Sequence, residues 1–223
     1  YQAQLGEFIM QPTIAANALA YVKQIFENDF SGHDYFHTLR VYRMATHIAE
    51  REGADVQTVQ LIALLHDVDD VKLSPATHQN KDNARRFLAQ NCVEQAAADE
   101  ICRMIGEISY VGTDSVTPAT LEGKCAQDAD RLDAIGAMGI ARAFAYGGSH
   151  RRLMYHPDIA PKTNMTEAEY RQSNSTTINH FYEKLFLLTD MMSTDTAKRI
   201  AKQREQYMRD FIDEFMAEWD GER

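Results

Sequence analysis

The chain has 223 residues, 44% hydrophobic and 25% charged, an ordinary globular composition at a length that one large domain or two small ones would fill. Its formal net charge of -10 speaks against broad binding to nucleic acid or to an anionic membrane, both of which reward a basic surface. The three cysteines, Cys92, Cys102 and Cys125, form no CxxC pair and are odd in number, so reduced thiols in a cytoplasmic protein are expected.

Helical periodicity runs through the whole sequence. Glycine and proline are few, and no alternating strand pattern is sustained. No run of about 18 apolar residues offers a membrane span, and the opening "YQAQLGEFIM" lacks the basic start and apolar run of a secretory leader. A first helix is predicted near 13–28. The second, 33–52, follows Ser31 and precedes Gly53. It sets His37, Val41, Met44, Ala45 and Ile48 on one face, apolar apart from the histidine. The third, 55–69, repeats the pattern with Val59, Ile62, Ala63 and His66, then runs into "HDVDD". Helices at 79–90 and 94–109 follow. A long helix over 119–146 places Asp130 on a stripe with Ala126, Ala134, Ala137 and Ala141. A carboxylate there costs on the order of several kcal/mol unless something compensates it. The longest irregular stretch is "YGGSHRRLMYHPDIAPK" (146–162), which combines Gly147-Gly148, two prolines and a cluster of bases; such a loop in a helical domain is often functional. "TEAE" at 166–169 reads as a capping box opening a helix over 166–192. In the last helix, 194–219, Met208, Phe211, Ile212, Phe215 and Trp219 share a face that reads as core, with a homodimer contact as its other use. An all-α single domain over 1–223 is the economical reading.

Two inward histidines, an HD dipeptide and an inward aspartate stand out. Each has an ordinary explanation: a lone inward histidine is commonly a hydrogen-bonded core residue, and Asp69 and Asp70 could be the frayed end of a helix. A single metal ion would compensate both imidazoles, Asp67 and Asp130 together. Spacing alone leaves the two readings about level.

The ordered set His37, then His66-Asp67, then Asp130, carried by "GHDYFHTLRV" (32–41), "ALLHDVDDVK" (63–72) and "QDADRLDAIG" (127–136), resembles the H…HD…D signature of the HD superfamily of metal-dependent phosphohydrolases. "ARAFAYGG" (141–148), "INHFYEKL" (178–185) and "MRDFIDEFMAEWDG" (208–221) extend the likeness to one branch of small bacterial HD proteins. The resemblance implies an HD-type helical bundle, its metal-binding core at about 30–147 and its C-terminal helices packed on that core. It implies hydrolysis of a phosphoester or phosphoanhydride. That branch is associated with nucleoside triphosphate pyrophosphohydrolase activity, so the expected reaction converts a (deoxy)nucleoside triphosphate to monophosphate and pyrophosphate. A 5′-nucleotidase and a metal-holding regulatory module with little turnover are the alternatives.

Two imidazoles and two carboxylates leave room for water and substrate oxygens around one divalent ion. They suit Mn²⁺, Co²⁺, Ni²⁺ or Fe²⁺ better than Mg²⁺. Binuclear HD enzymes are similar in using extra histidines between the HD pair and the last aspartate. Here only His78 lies there, which favours a mononuclear hydrolytic site. Asp70, one turn after His66, is the candidate for handling the attacking water, with His33 as a candidate acid or supporting group. Arg40, Lys72, Arg151, Arg152 and Lys162 are candidate phosphate contacts, the last three as a mobile grip, and Tyr146 a candidate base stack. Arg131 points away from its neighbour Asp130 by helical geometry.

Overall fold

The computed structural model describes residues 13–26, 34–71, 73–166, 168–169 and 175–223, and among these there is no strand. Ten α-helices are described: α1 Ile14–Phe26, α2 Tyr35–Glu52, α3 Val56–Leu65, α4 Asp82–Gln90, α5 Gln95–Ile105, α6 Leu121–Asp133, α7 Gly136–Ser149, α8 Thr177–His180, α9 Phe186–Asp190 and α10 Asp195–Trp219. A π-helical turn, Phe181–Leu185, joins α8 to α9.

Helices α2, α3 and α6 pack against one another, and their opposite faces feed two apolar cores. Val59 and Ala63 of α3 and Cys125, Ala129 and Leu132 of α6 join Val41, Ala45 and Ile48 of α2 in the first, which the C-terminal helices complete through Phe181, Leu188, Met208 and Ile212. Ile62, Leu64 and Leu65, on the other side of α3, join α1, α4 and α5 in the second. The start of α2, the end of α3 and the end of α6 therefore meet where both cores are firm.

Local chemistry sets these ends. Asp34, rather than Ser31, caps α2: its carboxylate accepts from the His37 backbone N–H at 2.7 Å. Ser31 lies outside the described residues. Gly53 closes α2 in the left-handed region, as expected. The long helix predicted over 119–146 is broken at Ala134–Ile135, because Gly136 takes φ +76°. An added Cβ there would also lie 2.9 Å from Arg204 Cγ. Ala137 and Ala141 consequently leave Asp130's stripe and are exposed.

Buried polar ties hold α6 to the turn before α10. Asp128 accepts from the Ser193 and Thr194 backbone N–H groups and from the Thr194 hydroxyl, and Arg131 donates to the Met191 carbonyl at 2.6 Å. Thr166 and Glu169 do exchange capping-box hydrogen bonds, although 167 and 170–174, where that predicted helix would continue, lie outside the described residues. On the last helix Met208 and Ile212 are buried, while Trp219 is half-exposed and stacks on Phe215. The three cysteines are unpaired. Among the described residues no helix is long and apolar enough to cross a membrane.

Candidate metal centre

His37 rises from the first turn of α2, His66 and Asp67 cap and follow α3, and Asp130 lies in the last turn of α6. The first three are buried and could together hold a metal ion, their ligand atoms all lying within 4.8 Å of one another. His37 Nε2 is 3.4 Å from Asp67 Oδ2 and 3.4 Å from Asp130 Oδ1. His66 Nε2 is 3.0 Å from Asp67 Oδ2 and 3.9 Å from Asp130 Oδ1. Asp130 is the more exposed carboxylate and forms the open side of the group.

The other nitrogen of each ring fixes its orientation. His66 Nδ1 is 2.8 Å from the Ala63 carbonyl, a contact that requires Nδ1–H as donor. In the neutral ring the lone pair then sits on Nε2, which is buried 3.0 Å from Asp67 Oδ2 and 3.9 Å from Asp130 Oδ1. His37 Nδ1 is 2.8 Å from Asp133 Oδ2, leaving its Nε2 turned to Asp67 and Asp130. Imidazoles anchored through one nitrogen by a carbonyl or carboxylate are how proteins present the other to a metal. A buried Nε2 lone pair facing two carboxylates is a polar arrangement that a divalent cation would satisfy, and the N2O2 donor set suits a borderline metal.

Asp133 was not anticipated, yet it organises one side of the group. It accepts from Arg40 Nε at 2.7 Å, from Arg40 Nη2 at 3.0 Å and from Arg142 Nη1 at 2.6 Å, besides His37. Burial alone would raise its pKa. The His37 and Arg40 hydrogen bonds and the Arg142 charge outweigh that and hold the carboxyl well below the usual range. Arg40, expected at a phosphate, makes a two-pronged clamp on Asp133. One weak signal was legible: Asp133 stands one turn after Asp130, and Arg40 one turn after His37.

Asp69 is not a frayed helix end. It is buried and caps α4, accepting from the Asn83 and Ala84 backbone N–H groups. Asp70, on the same turn, is partly exposed. Lys81, also missed, takes φ +56° before α4. Burial lowers its pKa, while the charges of Asp69, Asp70 and Asp67 act to raise it, which places its ammonium within their electrostatic reach. His33 and Lys72 lie outside the described residues.

The 146–162 segment is docked through hydrogen bonds to the C-terminal helices. The Thr177 and Ile178 backbone N–H groups donate to Leu153 and Met154, Asn179 Nδ2 donates to the Ile159 carbonyl, and the Lys162 N–H donates to Glu183. Gly147 permits this approach, since a Cβ there would meet Thr177 Oγ1 at 2.3 Å. Tyr146 stacks on His150 and carries Arg152 over its ring, 5.4 Å from the centroid. Arg151 is exposed at φ +55°. Beyond this segment, Lys184 sits 4.9 Å over the Tyr110 ring. His180 is pushed down to about 3 by burial and by the Lys184 and Arg152 charges. Arg152 and Lys184 both act on His180, which ties this basic and aromatic group together.

An all-helical bundle with a buried His-His-Asp group at the meeting of three helices is an arrangement that could hold a divalent metal ion. The HD domain model matches residues 34–135. Bacillus subtilis YpgQ is 37% identical over 194 residues, covering 86% of this chain and 87% of YpgQ. A solved structure from Lactobacillus plantarum is 40% identical, with a TM-score of 0.83, over 96% of this chain and 100% of that one. The structure of an HD-superfamily hydrolase from Bacillus thuringiensis is 40% identical, with a TM-score of 0.74, over 92% and 96%. That of B. subtilis YpgQ in complex with ADP is 33% identical, with a TM-score of 0.73, over 92% and 97%. The chain belongs to the HD-domain family of metal-dependent phosphohydrolases.

Proposed function

We propose that this protein hydrolyses a nucleotide, converting a (deoxy)nucleoside triphosphate to its monophosphate and pyrophosphate, with His37, His66, Asp67 and Asp130 holding one divalent ion. The observation that carries the nucleotide assignment is the group of Arg152, Lys184 and His180 with Tyr146 and Tyr110, in which cations lie over aromatic rings. In a chain of net charge -10, cations backed by aromatic rings fit a polyphosphate and a base. The ADP complex of YpgQ supports the same class.

When bound, a divalent ion supplies Lewis acidity toward phosphoryl oxygens and water. The chain's own groups do the rest. Asp70, one turn after His66, is assigned the acceptance of a proton from the attacking water. His180, kept neutral, donates a hydrogen bond without adding charge. Lys184 and Arg152 offset the charge of the departing pyrophosphate. Asp70→Asn is expected to keep its metal and lose roughly 10²-fold or more in turnover. Unchanged turnover, with metal content measured alongside, would remove Asp70 from the chemistry.

The substrate class is tested by turning over nucleotides with each candidate metal and identifying products by mass. Pyrophosphate release is the expected result. Inorganic phosphate from monophosphates would make the protein a 5′-nucleotidase. Arg152→Gln combined with Lys184→Gln should lower kcat/KM for a triphosphate by about 10²-fold, two charge-assisted contacts at about 1.5 kcal/mol each. A small generic phosphodiester should lose little. Equal losses on both substrates would assign these residues to folding or general access.

A further inference from the structure

A cavity of about 620 Å³ opens between α2, the α6–α7 junction and α10. None of His37, His66, Asp67 or Asp130 lines it, although Asp133, which engages His37, and Arg40 do. Its volume falls in the range of small-ligand sites. Its charge runs against the chain's: Arg40, Arg43 and Arg204 face one carboxylate, Asp133, which His37, Arg40 and Arg142 already engage.

The arginines are not equivalent. Arg40 is spent on Asp133, and Arg204 donates to the Leu132 carbonyl. Arg43 has no hydrogen bond or ion pair among the described residues, and it is exposed on the α2 wall. His47, one turn further along α2, is exposed on the same wall. Facing them on α10, Tyr207 is 56% exposed, and Met138 of α7 is 40% exposed at the rim. Large apolar groups left half in water beside a basic cavity suggest a ligand that brings its own flat apolar part. Guanidinium groups recognise phosphate through paired donors. An aromatic ring and a methionine offer a face for a base.

We propose that this cavity is a second binding site, taking a nucleoside phosphate with its phosphate at Arg43 and its base against Tyr207 and Met138. The four candidate ligands do not line the site, and it does not require the ion.

ADP titrated into the full chain tests this, once loaded with Mn²⁺ and once after chelation, with calorimetry giving the stoichiometry. One equivalent should persist after chelation. Arg43→Glu should weaken it at least tenfold and Tyr207→Ala several-fold, while any metal-dependent equivalent keeps its affinity in both variants. Both residues are exposed, so the variants should fold; circular dichroism checks this. Absence of ADP binding to a folded chelated chain overturns the proposal. In the Mn²⁺-loaded chain a stoichiometry of one, unaffected by either substitution, overturns it equally. If pyrophosphate competes as well as ADP and Tyr207→Ala changes nothing, the cavity reads charge alone and the nucleoside assignment fails. Loss of triphosphate turnover with this binding intact would count against the catalytic assignment and not against this site.

Discussion

His66→Ala is expected to yield a chain that binds no metal tightly and has lost phosphohydrolase activity by roughly 10³-fold or more, about 4 kcal/mol of barrier. The substitution removes an imidazole whose Nε2 is buried and faces Asp67 and Asp130. It leaves two carboxylates crowded at one spot with one fewer nitrogen between them. Metal analysis of the purified variant checks the first part and turnover the second. Full occupancy with normal turnover would take His66 out of the ligand set.

A pH dependence follows from the same ring. Burial alone would push the His66 imidazole down, but the charge of Asp67, its contact at 3.0 Å and the Asp130 carboxylate outweigh burial and raise it from 6.5 to about 9 without metal. A ligand must be neutral, so a metal ion must displace that proton. Metal affinity should climb with pH up to about 9 and level off above. Stability of the metal-free chain runs the other way. The contribution of a raised pKa is fully present below 6.5 and is lost as pH rises through about 9. Thermal unfolding of metal-free wild type and His66→Ala should therefore converge at the alkaline end of that window. A gap between them that stays constant with pH would deny the raised pKa.

The inward faces of α2 and α3 were legible because a single histidine on an apolar helical stripe is visible in the sequence. Asp130 stood out on its alanine stripe and Asp67 beside His66, but spacing left the metal and the ordinary readings about level until the ordered resemblance joined them. Neither periodicity nor composition distinguishes a converging aspartate from a solvated one. Asp133 went unread for a related reason. It stands in "DADRLD", where three acids in six residues look like a solvated face, and only tertiary packing of α2 on α6 brings His37, Arg40 and Arg142 to the third of them. The helix break at Gly136 was missed because glycine is tolerated inside helical patterns, and its positive φ is set by the approach of α10. Docking of 146–162 depends on hydrogen bonds to backbone groups, which carry no residue signature at all. Arg40 illustrates the general difficulty: one helical turn from a ligand histidine, an arginine can face substrate or support the ligand, and the partner it clamps lies 93 residues away.

Asp133→Asn is the substitution that separates support from scaffold. Asparagine keeps the shape but loses the charge that orients the His37 ring and holds two guanidinium groups. Removing a carboxylate that supports a ligand histidine typically costs 10- to 100-fold in metal affinity or activity, and that loss is expected here. Stability should fall too. Breaking a buried pair costs about 3–5 kcal/mol. Arg40 and Arg142 are each roughly a third exposed, and solvent screening brings the expected cost to about 2 kcal/mol. The acid limb gives the sign. A carboxyl held below its usual range stabilises the fold above about pH 4, and that contribution disappears as pH falls through the lowered value. Wild type should therefore lose stability on acidification more steeply than Asp133→Asn, the two curves approaching each other well below pH 4. Asp133→Glu, which keeps the charge, should recover part of the metal affinity. If Asp133→Asn loses stability but binds metal as wild type does, the residue is a fold clamp only, and the orientation of His37 must be set by the Asp34 cap and the packing of α2.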